Sequence, residues 1–118
     1  MKLIVYAGRE FKADFTVVSG DGVTAEVLDP TDTATFSAQT SGPNPESILK
    51  DIPMTLIDAD NGLFELNLTT DQTSAFKQYV GFQEDCFNPI CNNMGFIDFI
   101  LVSGNRQATV SIAVKEIV

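Results

Sequence analysis

Apolar and polar side chains alternate along most of the chain. The alternation is clearest over residues 11–17, 33–38, 97–101 and 108–115. Successive side chains of a β-strand point to opposite faces, so this period of two predicts strands with one face in a core. Short strands separated by frequent turn residues favour two packed sheets over a barrel or a helical fold. We therefore predict an all-β fold, an Ig-like antiparallel β-sandwich of about seven strands with one short helical turn.

Two further strands are predicted to form a hairpin. Its arms are residues 52–58 and 63–69, and Asn61 and Gly62 lie between them. The dipeptide Asn-Gly favours a type I′ turn, because both central residues of that turn need a positive φ.

A helical turn is predicted directly after the hairpin. Thr69 is followed three residues later by Gln72, the spacing of a capping box, in which each side chain bonds the backbone N–H of the other residue. Asp71 suits the positive end of a helix dipole. We expect a helical turn over about Thr70 to Phe76, with Phe76 directed to the core.

Length and composition favour one globular domain, which we predict to span residues 1–118. The hydrophobic content of 44% is typical of globular proteins. No apolar run approaches the roughly 20 residues of a membrane span, and the first apolar stretch is too short for a signal-peptide core. We therefore expect no membrane partner.

The chain is strongly acidic. Seven Lys and Arg residues against sixteen Asp and Glu residues give a formal charge of −9. Binding to nucleic-acid phosphates needs clustered positive charge, so we expect no nucleic-acid partner. The acidic residues are spread evenly along the sequence, which favours an ordinary solvated surface over a concentrated acidic site.

The residues that support catalysis are largely missing. The chain has no His, which removes Ser–His and Cys–His nucleophile pairs and the commonest metal ligand. It has no glycine-rich phosphate loop, and no pair of carboxylates is singled out by its spacing. Residues 58–62 are similar to a calcium loop, but the glycine is fifth and the twelfth residue is Thr69. We predict no enzymatic activity, no cofactor and no metal.

Cys86 and Cys91 are four residues apart. A zinc site would need two further soft or imidazole ligands, and the sequence has none. Two free thiols and a small disulfide both remain open.

The segment from Tyr79 to Gly95 is long for a loop of a small domain, which favours a functional role. Its apolar content argues against disorder. The apolar side chains either fold back over the end of the sandwich or form a protein-contact patch edged by Glu84 and Asp85. The predicted contact residues are Tyr79, Phe82, Phe87, Ile90 and Met94. The Pro-rich loop 40–47 is a second candidate.

The order of four segments resembles that of bacteriophage tail, baseplate and head-accessory proteins. A strand reading Thr-Ala-Thr-Phe is followed by an Asn-Gly hairpin, a Gln-Thr helical turn and two final strands around a polar turn. The segments are Asp32–Gln39, Asp58–Leu68, Thr70–Phe76 and Phe96–Val114. That family usually has a Gly-x-Tyr stretch before the penultimate strand, where this chain has its long cysteine-containing segment.

The resemblance implies a non-enzymatic virion structural protein with an Ig-like fold, made in the host cytoplasm. A small domain favours a capsid decoration (cement) or head-accessory protein that stabilises the particle by subunit contacts. A tail or baseplate component is the alternative. The implied partners are other capsid or tail subunits, with this protein present as a homo-oligomer or as repeated copies on a lattice. The edge of strand 2–6 is expected to add a neighbour's strand.

Two functions of other classes remain as alternatives. An acidic inhibitor that mimics DNA would need its carboxylates gathered on one face. A carbohydrate-binding sandwich would need aromatic platforms, and the chain has no Trp and only two Tyr residues.

Overall fold

A computed structural model of the protein describes residues 2–40, 44–77 and 93–115. The described residues contain eight strands, a 3-10 turn (Ala59–Asn61) and a short α-helix, α1 (Thr70–Ser74). The strands are β1 (Lys2–Tyr6), β2 (Phe11–Thr16), β3 (Thr33–Thr40), β4 (Ser47–Pro53), β5 (Thr55–Asp58), β6 (Leu63–Leu68), β7 (Asn93–Ile100) and β8 (Arg106–Lys115). No helix among these residues is long and apolar enough to cross a membrane.

The strands form two sheets. One has five strands in the order β1-β8-β7-β3-β4, and the other has three in the order β2-β6-β5. Neighbouring strands are antiparallel except for β1 and β8, which run parallel. This arrangement is an Ig-like β-sandwich, and it confirms the fold class that the alternation predicts.

The core lies between the two sheets. Phe36 and Ile97 from the larger sheet and Phe64 from the smaller are fully buried. The rings of Phe64 and Phe99 join the sheets, with centroids 5.6 Å apart and planes inclined by 52°. Burial of each such side chain contributes roughly 1.5–3 kcal/mol to the free energy of folding. In β8, Val110, Ile112 and Val114 are buried, as the alternation over 108–115 predicts.

The predicted hairpin is confirmed for β5 and β6, but the first part of its first arm, residues 52 and 53, does not belong to it. The first arm is two strands in different sheets. Ile52 pairs with Phe36 in the five-stranded sheet, whereas Leu56 pairs with Phe64 in the three-stranded sheet. Pro53, which has no backbone donor for a continuing ladder, is the last residue of β4. The chain therefore changes sheets within the predicted arm.

The predicted type I′ turn is also wrong. Among the described residues, Asp51 is the only non-glycine residue with a positive φ, so Asn61 lacks the conformation that this turn needs. Instead Gly62 alone is left-handed, with φ 63°, and its N–H donates to the carbonyl of Ala59 at 3.2 Å. The connection is a 3-10 turn over Ala59–Asn61, and its backbone also accepts bonds from the N–H groups of Val17 and Leu28.

The helical turn follows the prediction. The Thr69 hydroxyl accepts a bond from the N–H of Gln72 at 3.2 Å, and the Gln72 side chain accepts one from the N–H of Thr69 at 2.8 Å. This capping box starts α1 at Thr70. Phe76, two residues beyond the helix, is fully buried as expected.

Candidate functional site

The long segment predicted to make protein contacts is only partly described. Tyr79, Phe82, Phe87 and Ile90 lie outside the described residues, as do Cys86 and Cys91. Met94 is described, and its predicted position in a loop is wrong. It lies in β7, opposite Gln39 of β3 and Ser111 of β8. Strand pairing extends to the start of β7 because both neighbouring strands are long enough to bond it.

The two predicted contact segments are attached to β3 and β7, which are neighbouring strands. Thr40, the last residue of β3, lies opposite Asn93, the first residue of β7. The Pro-rich loop follows Thr40 and the long segment precedes Asn93. Thr40 and Asn93, where the described chain meets these segments, therefore lie at the same end of the sandwich.

Strand β1 forms one edge of the five-stranded sheet. Its buried side chains, Leu3 and Val5, alternate with Ile4 and Tyr6, which are 45% and 43% exposed. The N–H of Ala7 donates to the carbonyl of Lys115 at 3.0 Å and so continues the parallel ladder with β8. Backbone groups alternate in direction along a strand, so those of Ile4 point away from β8 towards the open edge.

Strand β4 forms the opposite edge, and it is much less regular. Its pairing with β3 is interrupted by two register shifts. Asp51 has a left-handed φ of 52°, and its N–H donates to the Ser37 hydroxyl at 3.0 Å. Lys50, Asp51 and Pro53 are all exposed. Bulges, charges and proline are the usual means by which an edge strand is protected from pairing. β1 has no proline and pairs with β8 without a register shift, and its one charged residue is Lys2, at its first position.

Further apolar side chains share the outer face of the sheet with β1. Met94 and Phe96 of β7 point outward, because their neighbours Gly95 and Ile97 are buried. Both are half-buried and lie opposite Ser111 and Thr109 of β8. We call Ile4, Tyr6, Met94 and Phe96 the β1 face.

Three connections meet at the other end of the sandwich, which we call the tri-loop end. They are residues 17–32, 59–62 and 101–105. The N–H of Val17 donates to the carbonyl of Gly62 at 2.8 Å, and the N–H of Leu28 donates to the carbonyl of Ala59 at 2.8 Å. These bonds hold the longest of the three connections against the 3-10 turn.

Asp32 joins the first and third connections. Its carboxylate accepts bonds from the N–H of Asp29 at 2.9 Å and the N–H of Val102 at 2.8 Å. Asp32 is buried, and burial of a carboxylate is tolerated when hydrogen-bond donors of this kind satisfy it.

Glu26 makes a second link from the first connection, to the third connection and to the start of β8. Arg106 Nη2 lies 2.6 Å from Glu26 Oε2, and Arg106 Nη1 donates to the carbonyl of Val18 at 2.8 Å. The Ser103 hydroxyl donates to Glu26 Oε1 at 3.1 Å. Both oxygens of Glu26 are therefore engaged by the third connection and the start of β8.

Asp21 organises the tip of the first connection. Its carboxylate accepts bonds from the hydroxyl of Thr24 at 2.6 Å and from the N–H groups of Thr24 and Val23, both at 2.9 Å. These bonds, those of Thr24 first, hold the pKa of Asp21 well below its ordinary value. Bonds from the hydroxyl and N–H of Thr31 lower the pKa of Asp29 in the same way.

Three valines project from this bonded framework. Val23 is 83% exposed, Val27 is 70% exposed and Val102 is 75% exposed. Val27 and Val102 line one shallow depression together with Asp29 and Asp32. Neighbouring exposed apolar side chains such as Val27 and Val102 are a feature of contact surfaces.

The charge of the tri-loop end is one-sided. Its connections carry five acidic residues, and the adjacent basic residue is Arg106, which is paired with Glu26. The acidic residues are Asp21, Glu26, Asp29, Asp32 and Asp60. Four of the five lie in the connection 17–32, so this grouping is mostly local in the sequence, and folding adds Asp60 from the 3-10 turn. No group of acidic and cysteine side chains in the described ranges is placed to hold a metal ion.

The sequence contains weak signals of this site. The turn at Asp21 and Gly22 and the turn at residues 103–105 are both recognisable from their turn residues. The exposure of Val27 and Val102 has no local signal, because an isolated valine in a connection is as compatible with burial as with exposure.

Comparison with solved structures finds immunoglobulin-type domains. The chain is similar to a domain in the crystal structure of the titin M10–obscurin-like 1 Ig complex, with a TM-score of 0.43 and 13% identity, over 99% of this chain and 88% of that one. It is also similar to the titin M3 domain, with a TM-score of 0.39 and 13% identity, over 97% of this chain and 85% of that one. No protein-family model and no curated protein matches the sequence.

Proposed function

We propose that this protein is a non-enzymatic structural component of a bacteriophage virion. More specifically, we propose a small capsid decoration or head-accessory protein that stabilises the particle by subunit contacts. The family resemblance of the segments from Asp32 to Val114 supports the virion role. The Ig-like sandwich is compatible with that resemblance.

The observation that carries the proposal is the edge of β1, which is regular and has no further strand beside it among the described residues. An unprotected strand edge offers N–H and C=O groups to a strand from a neighbouring subunit. Exposed Ile4 and Tyr6 lie on this strand, whereas the opposite edge at β4 is bulged and charged. This contrast favours β1 as the edge that pairs with another subunit.

The β1 face adds apolar area to such a contact. Met94 and Phe96 are half-buried on the same outer face as Ile4. Apolar area removed from water contributes roughly 25 cal/mol per Å2 before the cost of association. Many weak contacts of this kind combine on a repeating lattice through high effective concentration.

The proposal is tested first by mass spectrometry of particles purified from a culture that produces the protein. We expect the protein to be present in many copies per particle and to be retained in heads separated from tails. Retention in the tail fraction alone would favour the tail or baseplate alternative. Its absence from all particles would contradict a virion role.

A matched pair of variants tests the contact surface. Ile4→Lys places a charge on the β1 face, whereas Ile57→Lys places one at the similarly exposed Ile57 of β5. Both variants should keep the melting temperature of the isolated domain to within a few degrees. We expect Ile4→Lys to lower the number of copies per particle severalfold and Ile57→Lys to leave it unchanged. Equal occupancy for the two variants would eliminate β1 as the contact.

A further inference from the structure

The tri-loop end has the composition of a second contact surface, separate from the β1 face. Val23, Val27 and Val102 expose most of their surface there. Valine is stiff at χ1, so little side-chain entropy is lost when it is covered. These three side chains therefore provide apolar contact area at low cost.

The backbone beneath these valines is already ordered by bonds within the protein. Val23 donates its N–H to Asp21, and Val102 donates its N–H to Asp32.

The backbone of Val27 is held by its two neighbours. Glu26 is paired with Arg106, and the N–H of Leu28 donates to the carbonyl of Ala59. A surface held in this way avoids much of the ordering cost that weakens binding by loops.

The charge around the valines specifies the partner. The carboxylates of Asp21, Asp29 and Asp60 belong to exposed residues, and the nearby guanidinium of Arg106 is paired within the protein. Complementary charge steers partners together and disfavours partners of like charge. An acidic partner would meet repulsion here, whereas a basic one would not.

We propose that the tri-loop end binds a protein partner whose contact surface carries Lys or Arg side chains around an apolar centre. The three valines contact the apolar centre, and the carboxylates at their margin face the basic groups. This surface lies on different residues from the β1 face, so the proposal stands whether or not the protein is a virion component.

The test uses a display library of random 12-residue peptides selected on the full-length protein. We expect the selected peptides to combine at least two Lys or Arg residues with aliphatic or aromatic residues. Synthetic copies of these peptides should shift the backbone NMR signals of residues 23, 27 and 102. Raising the salt concentration from 50 to 300 mM should weaken their binding severalfold, because it screens the exposed carboxylates.

Variants separate the apolar and charged contributions. The double variant Val27→Ser/Val102→Ser should weaken peptide binding at least tenfold, and Asp60→Asn should weaken it severalfold. All of these residues are exposed, so each variant should keep the melting temperature of the wild type. Ile4→Ser on the β1 face is the matched control and should leave peptide binding unchanged.

Three results would overturn the proposal. The first is failure to select any peptide that binds, and the second is mapping of the selected peptides away from the tri-loop end. The third is selection of basic peptides without apolar residues that bind the valine double variant as well as the wild type. That last result would instead favour a purely electrostatic surface, as in an acidic inhibitor that mimics DNA.

Discussion

Arg106 and Glu26 form an ion pair across a separation of 80 positions in the sequence, with 2.6 Å between Nη2 and Oε2. The Glu26 side chain is only 17% exposed, whereas that of Arg106 is 41% exposed. A carboxylate in this position depends on the guanidinium for compensation of its charge. The pair therefore couples the connection 17–32 to the start of β8.

Arg106→Met should destabilise the domain more than loss of an ordinary surface cation. It leaves Glu26 without its counter-charge and removes a donor from the carbonyl of Val18, for an expected loss of about 1–3 kcal/mol in the free energy of unfolding. Urea denaturation measures this loss. The control is Lys12→Met, because Lys12 pairs with Glu10 at 3.7 Å with both side chains well exposed. Such exposed pairs contribute about 0–1 kcal/mol, and equal losses would refute the argument.

Gly62→Ala should be far more damaging than Gly22→Ala. Both glycines are left-handed, with φ of 63° and 74°, so alanine pays a similar backbone cost of about 1–2 kcal/mol at each. A Cβ at Gly62 would also lie 2.7 Å from the carbonyl oxygens of Glu26 and Val17, whereas a Cβ at Gly22 meets nothing within 4 Å. Thermal melting of the two variants should therefore show a clearly larger decrease for Gly62→Ala. Similar decreases would mean that the backbone at Glu26 and Val17 can shift away from the added Cβ with little loss of stability.

Thr69→Ala should destabilise the domain by about 1 kcal/mol through loss of the capping box. Thr70→Ala is the neighbouring control, because the bonds received at Thr70 go to its backbone carbonyl, which alanine retains. Chemical denaturation of both variants compares them directly. A Thr69 variant as stable as the Thr70 variant would show that the cap contributes nothing to folding.

The stabilising contribution of Asp21 should be lost in acid. Its pKa is lower in the folded protein than in the unfolded chain, where it is near 3.9. The stability it contributes is therefore complete above about pH 4 and is lost as the pH falls towards the folded value. We expect the difference in melting temperature between the wild type and Asp21→Asn to shrink from pH 5 to pH 2. Asp29→Asn should behave with the same sign, and a constant difference over this range would contradict the linkage.

The elements that could be predicted are those with a local cause. Alternation in residues 97–101 and 108–115 specifies which side chains point inward, because successive side chains of a strand point to opposite faces. The capping box at Thr69 likewise needs only residues three positions apart. The hairpin prediction was correct at Leu56 and wrong at Ile52, because the apolar character of these two residues is the same whichever sheet they join. Their separation depends on partners in β3 and β6, distant in sequence.

The sequence by itself determined the all-β class, the inward faces of most strands, the start of α1 and the strongly acidic net charge. Tertiary structure alone decided which edge of the larger sheet is regular, where Met94 lies, and that Val102 and Asp60 lie at the same end of the sandwich as the connection 17–32. The physical reason is that alternation and capping are interactions between near neighbours along the chain. The tri-loop end arises from bonds such as Arg106 to Glu26 and Val102 to Asp32, whose partners come together only when the two sheets pack.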